Sequence, residues 1–212
     1  VVVVFNGEIY NFIELRDELE RQGLSFDAHC DTEVLLKAYL RWDLSFLERL
    51  NGMFALGIWD PRSNRLLLAR DRLGIKPLYY YSTVDTFAFA SELKALTVLK
   101  GFRKELDLGS LNDYFSLQYV PTPRTLFKNV FKLEPGHFPR FESQQIKVEK
   151  YLDLQYSPEA VTHDLGAIQD ELRFLVADSV RRQMISDVPL GAFLSGGIDS
   201  TLVVANMARA SA

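Results

Sequence analysis

Asn6, Gly7 and Glu8 form a short polar cluster that follows an apolar run at the start of the chain. A glycine lets the backbone approach a ligand closely and present its N–H, and the Asn6 carboxamide supplies a second donor. Two such donors are the parts of an oxyanion hole for a tetrahedral acyl intermediate. Glu8 and Asp31 are carboxylates that could hold a substrate ammonium group. The alternative is a plain strand-to-helix turn, with Glu8 favouring one helix N-terminus and Asp31 capping the next helix.

A second cluster combines glycines and hydroxyls near the end of the chain. Its members are consecutive: Leu194, Ser195, Gly196, Gly197, Ile198, Asp199 and Ser200. Adjacent glycines with flanking hydroxyls, between a predicted strand and a predicted helix, make a nest of N–H groups for phosphate. Asp199 could hold Mg²⁺ bound to those phosphates. The run is neither a Walker loop nor the dinucleotide fingerprint, and the remaining alternative is a simple tight turn.

Cysteine and histidine contribute no third site. The chain has one cysteine, Cys30, and three scattered histidines, so no metal-ligand spacing is present. We do not expect a catalytic dyad from the neighbouring His29 and Cys30, because adjacent residues at a helix start rarely point together. A single cysteine forms no internal disulfide, which favours a reducing compartment and a cytoplasmic location.

Composition and charge exclude several classes of protein. The chain has 212 residues, of which 48% are hydrophobic and 12% aromatic, so it can bury a sizeable core and is not disordered. Its formal net charge of −4 argues against binding nucleic acid or an anionic membrane surface. No apolar stretch approaches the roughly 20 residues needed to cross a bilayer. We therefore expect no nucleic-acid or membrane partner.

Apolar spacing predicts the elements that position the first cluster. The β-branched run at 1–4 predicts a buried strand. An amphipathic helix ended by Gly23 follows, and a second helix runs from Thr32 to about Trp42. The first helix is predicted from apolar residues three and four apart: Ile9, Phe12, Leu15 and Leu19. Two hairpins are predicted from strand-like runs around turn residues: 53–59 with 66–69, and 78–81 with 86–90. Together these elements favour an α+β layered sheet.

The last third of the chain has a different pattern. A polar segment at 154–163 predicts a linker between a first domain at 1–153 and a second at 164–212. Apolar spacing then predicts a long helix, with Thr162 or Asp164 as its N-cap. A strand at 191–194, the Gly-rich turn and a helix at 201–210 would open an α/β nucleotide-binding unit.

The two ends of the chain lead us to expect an internal fragment of a longer protein. The sequence opens on Val1 rather than Met, directly inside a strand-like run. It stops at Ala212 within a helical pattern that shows no Gly or Pro stop signal.

Both clusters resemble motifs of one enzyme family. Residues 5–11, Phe-Asn-Gly-Glu-Ile-Tyr-Asn, resemble the glutamine-binding motif of the class II glutamine amidotransferases. Residues 195–200 resemble the pyrophosphate loop of the ATP pyrophosphatases. Both motifs, in this order, are similar to those of the glutamine-hydrolysing asparagine synthetases. Intervening stretches share the resemblance: 50–55, 69–71 with Gly74, 76–80, 89–95 and 133–137.

The resemblance implies a fold and a reaction. The first domain would be an N-terminal-nucleophile αββα sandwich, and the second would begin an α/β ATP-pyrophosphatase domain, adenine nucleotide alpha hydrolase-like. Glutamine would supply ammonia to a β-aspartyl-AMP intermediate formed from ATP and aspartate, giving asparagine, AMP and pyrophosphate. The family is often homodimeric.

The same resemblance implies residue roles. Asn6 and Gly7 would form the oxyanion hole, and Glu8 and Asp31 would bind glutamine, chiefly through its α-ammonium. The ATP-binding residues would be Leu194, Ser195, Gly196, Gly197, Asp199 and Ser200, with Asp199 near Mg²⁺.

The chain departs from the family pattern at the nucleophile. The family's N-terminal cysteine, and the upstream arginine that holds the glutamine carboxylate, are not in this sequence. We therefore expect these residues alone to be inactive in glutamine hydrolysis. Two other functions stay open: a related ATP-dependent amidotransferase acting on another carboxylate, and a non-catalytic glutamine-binding relative.

Overall fold

The computed structural model describes residues 1–142, 145–152 and 164–211. They form two compact units, which divide between Asp153 and Leu154. The predicted linker at 154–163 lies outside the described residues. Within the described ranges no helix is long and apolar enough to cross a membrane.

The first unit contains two antiparallel sheets and five helices. One sheet has five strands in the order β1-β2-β3-β7-β8, and the other has three in the order β5-β4-β6. The strands are β1 Val2–Ile9, β2 Gly52–Asp60, β3 Arg65–Arg70, β4 Tyr79–Ser82, β5 Phe87–Ala90, β6 Val130–Lys132, β7 His137–Glu142 and β8 Gln145–Lys150. The helices are α1 Phe12–Arg21, α2 Asp31–Trp42, α3 Phe46–Arg49, α4 Leu93–Leu96 and α5 Leu108–Leu117.

The two hairpins and the first two helices are confirmed. Turn residues at 61–64 separate β2 from β3, and β4 pairs with β5 across the second turn. Helix α1 begins at Phe12, so Ile9 belongs to the preceding strand rather than to the helix. Gly23, at φ +90°, follows α1 in the left-handed conformation that glycine adopts most easily.

Side chains alternate across β2 and so build two cores. Phe54, Leu56 and Ile58 face α1 and α2, in a core that also contains Leu19 and Leu35. Ala55, on the other face of β2, packs in a second core with Leu68, Leu78 and Leu133 between the two sheets. This alternation follows from the two-residue period of a strand, and it leaves the central strands buried on both faces.

A third core covers the outer face of the three-stranded sheet. Tyr81 and Val130 pack there with Leu96 of α4. The layers therefore run helix, sheet, sheet, helix, which agrees with the αββα architecture expected for the first domain.

The predicted burial of the first strand is wrong. β1 is a strand, but it lies at the edge of the five-stranded sheet, and Val2 and Val4 are 61% and 53% exposed. Only the opposite face of β1, carrying Val3, Phe5 and Ile9, packs on the helical core. A β-branched run predicts a strand, but the neighbours of that strand decide whether both its faces are covered.

The second unit contains two described helices, α6 Leu165–Gln183 and α7 Ile198–Ala210. The carboxylate of Asp164 accepts N–H bonds from Gly166 and Ala167, which confirms it as a helix cap; Thr162 lies outside the described residues. The predicted strand at 191–194 is wrong, because these residues have no regular structure and Phe193 is fully exposed. A strand needs a hydrogen-bonding partner, and the described part of this unit contains no strand that could supply one.

Candidate functional site

Asn6 and Glu8 lie on one face of strand β1. The prediction of a strand-to-helix turn here is wrong, because Asn6, Gly7 and Glu8 pair in register with Ala55, Phe54 and Met53 of β2. Alternate residues of a strand share a face, so Asn6 and Glu8 point the same way and Gly7 points to the other side. Both polar side chains are exposed.

Gly7 permits a close approach between β1 and β2. A Cβ at this position would lie 2.1 Å from the Met53 carbonyl oxygen and 2.7 Å from the Phe54 Cα. Gly52 is equally restricted, because its Cβ would lie 2.2 Å from the Glu8 carbonyl oxygen. The sequence predicted that a glycine here lets a ligand approach the backbone closely. In the described residues, it is the backbone of β2 that lies close to Gly7.

Asn6 lines a cavity between the edges of the two sheets. The cavity has a volume of about 330 Å³ and is lined by residues from β1, β2 and β5. This volume is at the lower end of the ~300–1,000 Å³ typical of small-molecule sites. The Asn6 amide group donates from Nδ2 to Ser91 Oγ at 3.1 Å, and Ser91 also lines this cavity. The carboxamide therefore has a partner directly after strand β5 of the second sheet.

Asp31 is tied to the same segment by a backbone hydrogen bond. Its Oδ2 accepts the N–H of Ile9 at 3.1 Å, which places the carboxylate beside Glu8. The alternative reading of Asp31 as an N-cap is wrong, because Asp31 is the first residue of α2 and Cys30 occupies the cap position. The structure thus brings Asn6, Gly7, Glu8 and Asp31 together.

The phenol of Tyr10 lies near the carboxylates of Glu8 and Asp71. Burial raises the pKa of this phenol above its ordinary value, and the charges of Glu8 and Asp71 raise it further. The negative charge of Glu8 favours a cationic ligand group over an anionic one. An ammonium group suits this side of the site.

Asp71 and Arg70 hold the loop that follows β3. The buried Asp71 carboxylate accepts N–H bonds from Phe54, Leu73, Ile75 and Lys76. The Arg70 guanidinium donates to three carbonyl oxygens, at 2.6–2.7 Å. Because these donors already bind backbone carbonyls, we do not assign Arg70 the role of binding a substrate carboxylate.

The structure shows one contact of the His29 ring and the exposure of Cys30. Cys30 is exposed, and His29 Nδ1 lies 3.1 Å from the Arg16 guanidinium. Its ring is therefore engaged on α1.

In the second unit, the Ser195–Ser200 loop is shaped by local hydrogen bonds. Gly196 has φ +80°, a left-handed conformation that favours glycine. Ser195 Oγ and Ser200 Oγ are 2.9 Å apart, and the hydroxyl of Ser200 also donates to the Gly197 carbonyl. Gly197 precedes the first turn of α7, which begins three residues earlier than the sequence predicted. The exposed loop and helix N-terminus present the N–H groups that phosphate binding uses.

Asp199 stands exposed in the first turn of α7. Among the described residues no group of three or more His, Cys, Asp and Glu side chains could hold a metal ion. Mg²⁺ in nucleotide sites is held by one or two carboxylates together with the phosphates, so a single carboxylate beside a phosphate loop fits that chemistry. Leu194, before the loop, is also exposed.

Sequence reasoning missed the contacts of Ser91 and Asp71. Both residues lie in stretches that carry the family resemblance, but nothing in their local sequence specifies a partner. Ser91 and Asn6 are 85 residues apart, and Phe54 and Asp71 are 17 apart. Asp71 is only 1% exposed. A buried carboxylate needs hydrogen-bond donors, so the known fold identifies Asp71 as the residue that holds the surrounding backbone.

Two protein families match this chain, one over the part that contains each polar cluster. The profile of the glutamine amidotransferase domain family matches residues 1–152, and that of the asparagine synthase family matches residues 171–212. Glutamine-hydrolysing asparagine synthetase 1 of Bacillus subtilis is 44% identical, over 95% of this chain and 32% of its own length. Asparagine synthetase 3 of the same organism is 37% identical, over 96% of this chain and 33% of its own length. The chain thus spans about a third of the relatives it matches.

A solved structure shares the fold. Glutamine phosphoribosylpyrophosphate amidotransferase of Bacillus subtilis superposes with a TM-score of 0.51 at 17% identity, covering 99% of this chain and 43% of that protein. This likeness supports the N-terminal-nucleophile fold expected for the first domain.

Proposed function

Because the chain belongs to the glutamine amidotransferase domain family through residues 1–152, we propose that the first unit takes part in glutamine hydrolysis. Asn6 Nδ2 and the Gly7 N–H stabilise the oxyanion that forms when the side-chain amide is attacked. Glu8 and Asp31 bind the glutamine α-ammonium, and the bond from the Ile9 N–H to Asp31 keeps the second carboxylate beside the first. Placing both carboxylates beside the donors orients the amide toward them.

The nucleophile is not among these residues. The family attacks glutamine with an N-terminal cysteine whose own α-amine acts as the base. Cys30, the one cysteine of this sequence, has a peptide bond at its nitrogen and an exposed side chain. Residues 1–212 alone therefore do not hydrolyse glutamine, and every assay below uses the full-length protein.

We propose that the Leu194–Ser200 segment binds the pyrophosphate part of ATP, with Asp199 as a ligand of Mg²⁺. Mg²⁺, when bound, offsets the negative charge of the phosphates. The loop residues hold the phosphates through backbone N–H groups and hydroxyls, and the N-terminus of α7 favours their negative charge.

The full-length protein would be an asparagine synthetase. Aspartate and ATP would give β-aspartyl-AMP and pyrophosphate, and ammonia from glutamine would displace AMP to give asparagine. The observation that supports this proposal is the order of the two clusters in one chain, together with the two family profiles that match in the same order. By resemblance, the protein would be a cytoplasmic homodimer whose partners are glutamine, aspartate and ATP.

One experiment separates this function from the alternatives. In the full-length protein, Asn6→Ala should lower glutamate release from glutamine by ~10²–10³, the loss typical of one oxyanion donor. Asparagine synthesis from free ammonia should survive, because that route bypasses the first unit. Equal loss of both activities would contradict the assignment, and ammonia-driven turnover of a carboxylate other than aspartate would favour a related amidotransferase.

A further inference from the structure

Ser91 and Asn6 face each other from the edges of two different sheets. β1 is the outermost strand of the five-stranded sheet, and β5 is the outermost strand of the three-stranded sheet. Ser91 follows β5 directly, is half-buried, and accepts the Asn6 Nδ2–H at 3.1 Å. Both residues line the same cavity. This contact is a direct link between the two sheet edges at the site.

The hydrogen bond restricts the rotation of the Asn6 carboxamide. The final torsion of an asparagine side chain is broad and roughly twofold, so an exposed amide samples many orientations. The amide nitrogen carries two N–H donors, and Ser91 engages Nδ2. With Nδ2 held on Ser91, the second N–H points in one direction. Oxyanion donors are effective because they are oriented before the charge develops.

The packing beneath Ser91 fixes its position. Phe89, two residues earlier on β5, lies against Gly57 of β2 so closely that a Cβ at Gly57 would be 2.6 Å from the Phe89 ring. Ala55 and Ala90, which also line the cavity, have short side chains that leave room between the sheets. The end of β5 is therefore seated against β2, and the Ser91 hydroxyl reaches across to β1.

We infer that Ser91 is a positioning residue for glutamine hydrolysis: its hydroxyl orients the Asn6 carboxamide as an oxyanion donor. The inference rests on the proposed function, since Asn6 must be such a donor for its orientation to affect turnover. Ser91 acts through Asn6 and does not need to touch glutamine. Its removal should therefore change the rate of the chemical step more than substrate binding.

The test is steady-state glutaminase kinetics of the full-length protein. Ser91→Ala should lower kcat about tenfold, less than loss of the donor itself, and leave KM for glutamine within about twofold. Ser91→Thr keeps a hydroxyl at the same position and should restore most of kcat. Ammonia-dependent synthesis should stay at the wild-type rate in both variants. A change in KM with kcat intact would overturn the inference.

Two controls separate positioning from a general structural effect. Ser82→Ala removes a half-buried serine at the end of the neighbouring strand β4 and should leave kcat unchanged. In the Asn6→Ala background, adding Ser91→Ala should cause no further loss, because two residues that act as a unit are not additive. An additive loss, or an equal loss in Ser82→Ala, would overturn the inference.

The outcome also distinguishes this inference from the proposed function. If Asn6→Ala keeps wild-type glutaminase turnover, the oxyanion assignment fails and Ser91 has nothing to orient. If Asn6→Ala lowers turnover and Ser91→Ala does not, the proposed function stands and only the role of Ser91 is wrong.

Discussion

The Asn6–Glu8 segment and the Ser195–Ser200 loop are both short runs of glycine and polar residues, yet different contacts hold them. Asn6–Glu8 is part of a strand, and its partners lie on β2 and after β5. The next residue of the strand, Ile9, donates its N–H to Asp31 of α2. The second loop is held by hydrogen bonds among its own hydroxyls, Gly197 and the start of α7. The first site therefore depends on distant parts of its unit, whereas the second carries most of its shape in consecutive residues.

The two glycines at these sites show the same contrast. Gly7 is required because another backbone lies against it, and Gly196 because of its own torsion angle. A Cβ at Gly196 would have no neighbour within 4 Å. Substitutions at the two positions should therefore fail in different ways.

The largest expected effect is that of Gly7→Ala on the fold of the first unit. The added methyl would collide with backbone atoms of β2, so the strands must separate, at or above the ~1–3 kcal/mol typical of overpacking. Hydrogen exchange in the full-length protein should show loss of protection in β1 and β2. Gly23→Ala is the control, because its site is open and only its φ of +90° is unfavourable, which costs ~1–2 kcal/mol. Equal protection in the two variants would refute the close approach at Gly7.

Gly196→Val and Asp199→Ala should abolish one activity and spare the other. The valine side chain would stand where phosphate oxygens must lie, and the alanine would remove the Mg²⁺ carboxylate. Pyrophosphate release with aspartate should disappear, while glutamate release from glutamine continues at a measurable rate. Gly191→Ala, at an open position, should leave both activities intact. If Asp199→Ala releases pyrophosphate at the wild-type rate, the ATP-site assignment is wrong.

Asp31→Asn should weaken glutamine binding without unfolding α2. The amide oxygen can still accept the Ile9 N–H, but the charge that faces the α-ammonium is lost. We expect KM for glutamine to rise roughly tenfold or more, since hydrogen bonds to charged groups contribute ~1.5–3 kcal/mol. Asp17→Asn, an exposed change on α1, is the matched control and should not alter KM. A large fall in Tm with KM unchanged would contradict this prediction and would show that Asp31 has only a structural role.

The smallest expected effect concerns acid stability near the first site. Hydrogen bonds from Lys37 and from the N–H groups of Asp27 and Ala28 lower the pKa of Glu33 to about 2. Because the folded pKa lies below the unfolded value of about 4.3, this stabilisation is present above that pH and is lost as the pH falls toward 2. Glu33→Gln should flatten the loss of Tm between about pH 4.3 and about pH 2, the unfolded and folded pKa values of this carboxyl.

The remaining acid sensitivity should come from other carboxylates. Arg62 lowers the pKa of Asp60, so that group loses its stabilising charge at still lower pH in both proteins. An unchanged pH profile in Glu33→Gln would refute the role of Glu33.

The sequence by itself determined the elements whose signals are local. Apolar spacing predicted α2, and turn residues predicted the β2–β3 hairpin. The sequence offered Thr162 or Asp164 as the cap of α6, and Asp164 is the cap that the structure shows. It also determined the Gly-rich loop, because a glycine at positive φ and neighbouring hydroxyls act within six consecutive residues.

Only the tertiary structure decided where the first cluster lies and what it touches. Whether Asn6 belongs to a turn or a strand depends on β2, whose pairing residues come about fifty positions later. Val2 and Val4 are exposed because β1 is the outermost strand of its sheet. Residues 191–194 form no strand because the described part of the second unit contains no other strand to pair with them. The bond between Asn6 and Ser91 joins two sheets across 85 residues. Strand pairing and sheet packing are long-range interactions, and a local pattern specifies a strand without specifying its neighbours.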